Sequence, residues 1–313
     1  INALYPNKTI DTQMNIVRDK VKCINTKYTG KGISIAFIDT GICKNNDFDS
    51  RIKCFYDVVN HKNYVYDDCG HGTHVAGICS GSGANSNGKY RGIAPESNIV
   101  MIKALDFEGK GTASDVLTGI QWVADNYKKY NIRILNMSIG AGITNTKDPL
   151  VRAAEILWDM GIVVVAAAGN NGPQKGTISS PGISKKIITV GSVDDINVPE
   201  NDIGKSYSGR GPTKECVIKP DVVAPGTNII SCLCEDNKNN NYYKSLSGTS
   251  MSTPIVSGAI ALLLEKVPNL KPDDIKFMLK QSCHNLECSP NRQGWGLLDI
   301  ENLLNREVIY VRK

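Results

Sequence analysis

No apolar run in this 313-residue chain approaches the ~18 residues that a membrane-spanning helix needs. The longest, around Val163 and Ala261, fit core elements. There is no Lys/Arg run of the kind that tracks phosphates. A formal charge of +5 and a pI near 8.6 are therefore only mildly basic, and nucleic acid is not an expected partner. No Pro/Ser-rich linker and no internal repeat divides the chain, so one domain is expected, with an N-terminal arm over 1–28 and the body over 29–313. No signal-peptide pattern opens it. It starts at Ile1 rather than Met, and a processed or trimmed N-terminus is expected. Ten cysteines are too sparse for a disulfide scaffold. Few or none are expected to bridge, as in a reducing setting. Cys283 and Cys288, flanking a short polar loop, are the best-placed pair. Cys232 and Cys234 alternate on a strand-like segment and point to opposite faces.

What is present is an ordinary globular balance, 41% hydrophobic and 21% charged, enough for a large core without staples. Strand-like runs (33–38, 99–104, 132–137, 162–168, 187–190) alternate with helix-like runs (from Gly72, then 113–127, 149–160, 249–267 and 272–282). Pro149 opens one helix and Gly161 follows its end, the expected asymmetry. Such βαβ alternation predicts an α/β fold, with a mostly parallel sheet and helices on both faces. The patch Asp236-Asn237-Lys238-Asn239-Asn240-Asn241 reads as an exposed loop.

Four segments carry candidate chemistry. In Ser247-Gly248-Thr249-Ser250-Met251-Ser252-Thr253-Pro254, a serine sits where a loop becomes a buried helix, beside free N–H groups that could receive an oxyanion. The alternative is a loop or cap serine. Asp39 ends the apolar strand 33–38, where open α/β sheets keep functional groups, or is a turn Asp bonding its own backbone. His71 lies between Gly70 and Gly72, so backbone or substrate can approach it. A core histidine is the alternative. Cys69, His71 and His74 are close in sequence but lack a fourth ligand at metal-site spacing, which argues against zinc. Asn170 follows the buried run 163–168 at the Gly169 break. Its amide could donate to an oxyanion, or it is a turn asparagine.

Taken together, in the order Asp39, His71, Asn170, Ser250, these segments resemble the subtilisin-like serine proteases (subtilases, peptidase S8), whose chain order is a known signature. The likeness runs from about Lys31 to about Leu304 and takes in 91–95, 136–140 and 219–226. Residues 148–151, 206–212 and 291–296 look most like the AprX-type bacterial branch. The resemblance implies a serine endopeptidase with Ser250 as nucleophile, His71 as base, Asp39 as its partner and Asn170 in the oxyanion hole. Substrate would add as a strand between Gly109-Lys110-Gly111 and Ser138-Ile139-Gly140. An S1 pocket would be walled by Ser138–Gly140 and Ala167–Gly169, including Ala168. Asn171 stands where some relatives carry Glu, so a broad or apolar-leaning specificity is expected.

The implied partners are protein or peptide substrates and a cleaved propeptide, on a monomer. The compartment is open between secreted and cytoplasmic, with secretion favoured. No cofactor is required. Many relatives bind calcium in a loop after the catalytic His, but 80–91 has no acidic residue here and carries Lys89 and Arg91. That site is expected to be missing, with Asp47 a stray ligand at most and no residue assigned to a metal. Two rival readings are a regulatory protein that keeps the fold, which would normally have lost a triad member, and an esterase. The Gly-x-Ser-x-Gly elbow of α/β-hydrolases is absent around Ser250.

Overall fold

A computed structural model describes residues 13–142, 145–196, 206–236 and 241–307. Seven strands form one sheet: β1 (Ser34–Asp39), β2 (Ile52–Asp57), β3 (Asn98–Lys103), β4 (Ile132–Met137), β5 (Val163–Ala167), β6 (Ile188–Ser192) and β7 (Val222–Ala224). Their order is β2-β3-β1-β4-β5-β6-β7, and every pairing is parallel. Every residue of β1, β5, β6 and β7 is buried, as strands covered on both faces must be.

The covering layers are helical. α2 (His71–Ser80) packs on α5 (Thr249–Lys266), and α5 crosses β4 to β7. α3 (Ala113–Asn126) packs on α4 (Pro149–Asp159), and these meet β1 and β5. The expected α/β architecture is the one observed. Local signals account for the helix ends. Thr112 and Asp115 form a reciprocal capping box at α3, with Val116, Ile120 and Val123 turned inward. Asp148 caps α4 just before Pro149, and Gly161 beyond its end takes a positive φ of 94°. Asp274 accepts from the Lys271 N–H at the start of α6 (Pro272–Ser282).

Several elements were not anticipated. α1 (Met14–Lys20) buries Met14 and Val17. α7 (Pro290–Gln293) and α8 (Ile300–Asn305) follow α6. An antiparallel hairpin of β8 (Ile229–Asp236) and β9 (Asn241–Leu246) lies outside the main sheet and packs on α2. Gly77 of α2 permits that contact, because a Cβ there would stand 2.4 Å from Ser231 Oγ. The residues 1–12 of the expected arm and 237–240 of the expected loop lie outside the described residues.

The hairpin also corrects the cysteine pairing. Cys43 and Cys234 form a disulfide across a sequence separation of 191. Cys283 and Cys288 are free thiols. Local spacing favoured the wrong pair, because only the docking of β8 beside α2 brings Cys234 to the turn that holds Cys43. Cys232 points the other way, as the alternation requires, and its buried thiol donates to Asp47.

Sheet order places the site. From β1 the chain builds outward on one side through β3 and β2 and on the other through β4 to β7. The carboxyl end of β1 is thus a switch point, where the loops after β3 and β4 diverge and leave a crevice.

Candidate active site

Asp39 closes β1 and is buried. Its Oδ1 accepts from the Thr40 backbone N–H at 2.7 Å and lies 2.7 Å from His71 Nδ1. That contact fixes the proton of the neutral imidazole on Nδ1 and leaves Nε2 free to accept. Burial disfavours the imidazolium, but the charge of Asp39, its hydrogen bond and the charge of Asp67 outweigh that penalty. The His71 pKa therefore lies above the ordinary histidine value.

His71 is the first residue of α2, and the loop before it is tightly specified. Gly70 takes a positive φ of 87°. Gly72 must be glycine, because a Cβ would stand 2.2 Å from the Gly41 carbonyl and 3.1 Å from Asp39 Oδ1. Asp67 organises the whole turn. Its Oδ1 accepts from Gly70 N, Cys69 N and Thr40 Oγ1, and its Oδ2 from Thr73 N and Thr73 Oγ1. Thr40 Oγ1 in turn accepts from Gly72 N at 2.8 Å. Neither Asp67 nor Thr40 was among the residues the sequence singled out.

Ser250 sits in the first turn of α5, half-buried. Pro254 lies within that helix and has no N–H to give the Ser250 carbonyl. The freed carbonyl instead accepts from Ser138 Oγ at 2.8 Å. Ser138 Oγ also receives Asn136 Nδ2, and Asn136 Oδ1 accepts from Ser257 further along α5. A buried polar chain thus fixes α5 against the end of β4. The Ser250 hydroxyl donates to the Ser138 carbonyl at 2.9 Å rather than to His71, although both side chains face the same cleft.

Asn170 lies beyond β5 and is exposed. Its Oδ1 accepts from both Thr249 N and Thr249 Oγ1 at 3.0 Å. The amide is thereby oriented with Nδ2 as a free donor beside the start of α5. Gly248 leaves room for it, since a Cβ there would stand 3.1 Å from Asn170 Nδ2.

The cleft, about 540 Å³, runs between Gly109-Lys110-Gly111 and Ser138-Ile139-Gly140, with His71 and Ser250 on its walls. Asp106 braces the first rim, accepting from Glu108 N and Lys110 N at 2.9 Å. Leu105, Val116, Ile139 and Leu150 supply apolar lining. Ala168 and Gly169, expected in a pocket wall, are buried and are not among the residues that line this cleft. Ser179 fills the space between the two expected pocket walls. A Cβ on Gly140 would stand 3.0 Å from Ser179 Cβ, one on Gly169 would stand 2.1 Å from Ser179 Oγ, and Asn171 Nδ2 donates to Ser179 Oγ. No sequence signal pointed to Ser179.

His74 is a core residue. Its Nε2 lies 3.0 Å from the Ile229 carbonyl and 2.9 Å from that of Lys244, so it carries a proton and ties α2 to the hairpin. Burial pushes its pKa down to about 3. Asp47 is buried. Its Oδ2 accepts from Tyr243 OH at 2.6 Å and Cys232 Sγ at 3.1 Å, and its Oδ1 from Asn85 N and Ser82 Oγ.

A parallel sheet with a hydroxyl at a helix start and an Asp-supported imidazole on one cleft, and an oriented amide beside that helix start, has the parts of a serine hydrolase built on an α/β sheet. The pattern of the Subtilase family, peptidase S8, matches residues 30–296. The chain is 44% identical to Serine protease AprX of Bacillus subtilis (strain 168), over 88% of this chain and 66% of that protein. It thus spans just under two thirds of that relative's length. It is 35% identical to Subtilisin DY of Bacillus licheniformis, over 91% of this chain and 95% of that one. A cold-adapted subtilisin-like serine proteinase of known structure superposes with a TM-score of 0.70 at 33% identity, over 88% of this chain and 91% of the other. The chain belongs to the subtilase family of subtilisin-like serine proteases. Among the described residues no helix is long and apolar enough to cross a membrane.

Proposed function

We propose that this domain cleaves peptide bonds through an acyl-enzyme formed on Ser250. His71 Nε2 takes the Ser250 proton as Oγ attacks the scissile carbonyl, then gives it to the leaving amine. Water then attacks the acyl carbon as it loses a proton to the same nitrogen, the ester bond to Oγ breaks to free the acid, and His71 returns the proton to Ser250 Oγ. Asp39 holds the tautomer and stabilises the imidazolium. The oxyanion is met by Asn170 Nδ2 and the Ser250 backbone N–H. The observation that carries this reading is the Asn170 amide, whose oxygen is committed to Thr249 and whose nitrogen is left to donate beside the nucleophile. The Ser250 hydroxyl must rotate from the Ser138 carbonyl toward His71, and such bonds commonly tighten only with substrate bound.

Substrate adds as an extended strand between the two cleft rims. The apolar lining and the uncharged Asn171–Ser179 pair support a broad, apolar-leaning selection. Strict Arg or Lys selection by a peptide library would contradict it. No calcium is required beside Asp47, since protein donors already occupy both of its oxygens and a hard cation would need those lone pairs. Melting temperatures with and without EDTA are expected to agree, and a marked drop would refute this point. The decisive experiment is labelling with a fluorophosphonate, mapped by mass spectrometry, with Ser250→Ala as control. An adduct confined to Ser250 supports the mechanism. No adduct on a folded protein would favour a regulatory role for the fold.

A further inference from the structure

Lys103 ends β3 and is completely buried, yet it lies outside the machinery described above. A buried ammonium is costly unless every donor is used. Here all three are. Nζ donates to the Thr40 carbonyl at 2.7 Å, the Leu105 carbonyl at 2.8 Å and Asp68 Oδ1 at 2.6 Å. The ring of Tyr66 lies 5.2 Å from the same nitrogen.

Those acceptors belong to three different parts of the site. Thr40 follows Asp39 and donates its N–H to the Asp39 carboxylate. Asp68 lies in the loop that leads into His71. Leu105 begins the segment that runs to the Gly109–Gly111 rim and lines the cleft itself. Lys103 also pairs in register with Asp39 across β1 and β3, and the N–H groups of Ala104 and Leu105 both donate to the Asp39 carbonyl. One side chain therefore sets the mutual position of the acid turn, the base's lead-in loop and the substrate rim.

Its charge has a second consequence. His71 meets the charge of Asp39 from β1 and of Asp67 from the loop before α2, while Asp68 in the same loop is paired with Lys103. His74 stands one turn along, neutral, and Glu108 and Lys110 lie across the cleft, paired with one another at 2.8 Å. Asp39, Asp67 and Asp68 thus all belong to the two turns that Lys103 ties together, and Lys103 brings the buried cation to them.

We propose that Lys103 is a positioning residue of this active site, locking the Asp39 turn, the His71 lead-in and the cleft rim together and balancing the carboxylates of the two turns that carry Asp39 and His71. This rests on the reading of His71 as the general base. The two members of the Lys103–Asp68 pair must then act on His71 with opposite sign. Removing the cation favours imidazolium, whereas removing the Asp68 charge disfavours it. A purely structural pair would harm the site from either side without such opposition.

The test is an NMR titration of His71 in the Ser250→Ala protein, with Lys103→Met or Asp68→Asn added, after thermal melting has checked folding. Lys103→Met is expected to raise the His71 pKa by about half a unit or more, and Asp68→Asn to lower it by a similar amount. In the corresponding Ser250 proteins the acid limb of kcat/KM is expected to move in the same directions. Absence of movement in both variants, or movement the same way in both, overturns the proposal. If Lys103→Met does not fold, Asp68→Asn decides alone: a downward shift supports it and no shift refutes it. Failure of the catalytic reading shows separately, as wild-type protein without Ser250-dependent hydrolysis.

Discussion

The Asn170 amide has its oxygen bonded to Thr249 and its nitrogen left to donate, and this makes its proposed role easy to isolate. Asn170→Ala removes a donor that matters only once charge develops on the substrate oxygen. Turnover is expected to fall by about 10²–10³ with KM nearly unchanged. A rise in KM alone would assign Asn170 to ground-state binding instead. His71 gives a prediction of the same scale. Its pKa is raised, chiefly because Asp39 outweighs the burial penalty. The neutral base is the working form, so activity should be lost as pH falls through that raised value. A kcat/KM profile is expected to place its acid limb above about 6.5, the ordinary histidine value.

Elements with strong one-dimensional patterns were legible, and those defined by partners were not. The run 132–137 reads as a strand from composition and is β4 to the residue, and Pro272 with two acidic neighbours marks the start of α6. β2, in contrast, is a half-buried edge strand, Ile-Lys-Cys-Phe-Tyr-Asp, with neither a continuous apolar run nor a clean alternation. The hairpin of β8 and β9 gains its burial from α2, which no local window sees. The same limit applies within the site. Asp39, His71, Asn170 and Ser250 could be read from their segments, but Lys103, Asp67 and Ser179 acquire meaning only from chain brought to them in space. His74 follows this pattern, quoted with His71 yet committed to the hairpin. Its Nε2–H serves two carbonyls, and its Nδ1 is buried without a partner, so a second proton would enter with nothing to receive it. Burial lowers its pKa to about 3, while the unfolded chain protonates it near 6.5. The unfolded state therefore binds the extra proton between these values. The stability that His74 contributes is present above about 6.5 and is lost as pH falls toward 3, by up to about 1.4 kcal/mol per pH unit. Denaturant midpoints at pH 7 and pH 5 should show that loss, and His74→Gln should flatten it.

At the scale of the whole molecule, the hairpin, α2 and the Asp39 turn form one unit because several independent ties meet there. Cys43 N donates to Thr73 Oγ1, which donates to Asp67, while His74 reaches across to β8 and β9. The Cys43–Cys234 disulfide closes the unit covalently, joining the turn after β1 to a strand 191 residues later. The large core means that the fold does not depend on this staple as a small scaffold would. What the bridge restricts is the unfolded chain, and it does so over a very long loop. Replacing both cysteines by serine is expected to lower stability by about 2–5 kcal/mol, read as an earlier denaturant midpoint. The loss should be the same whether the bridge is removed by mutation or by reductant under conditions that spare the free thiols. No described residue of the hairpin lines the cleft, so kcat/KM of the folded double variant should stay within a few-fold of wild type. An unchanged midpoint would mean that docking of the hairpin on α2 already fixes these segments. A large fall in kcat/KM at full folding would mean instead that the bridge holds the Asp39 turn in its working position.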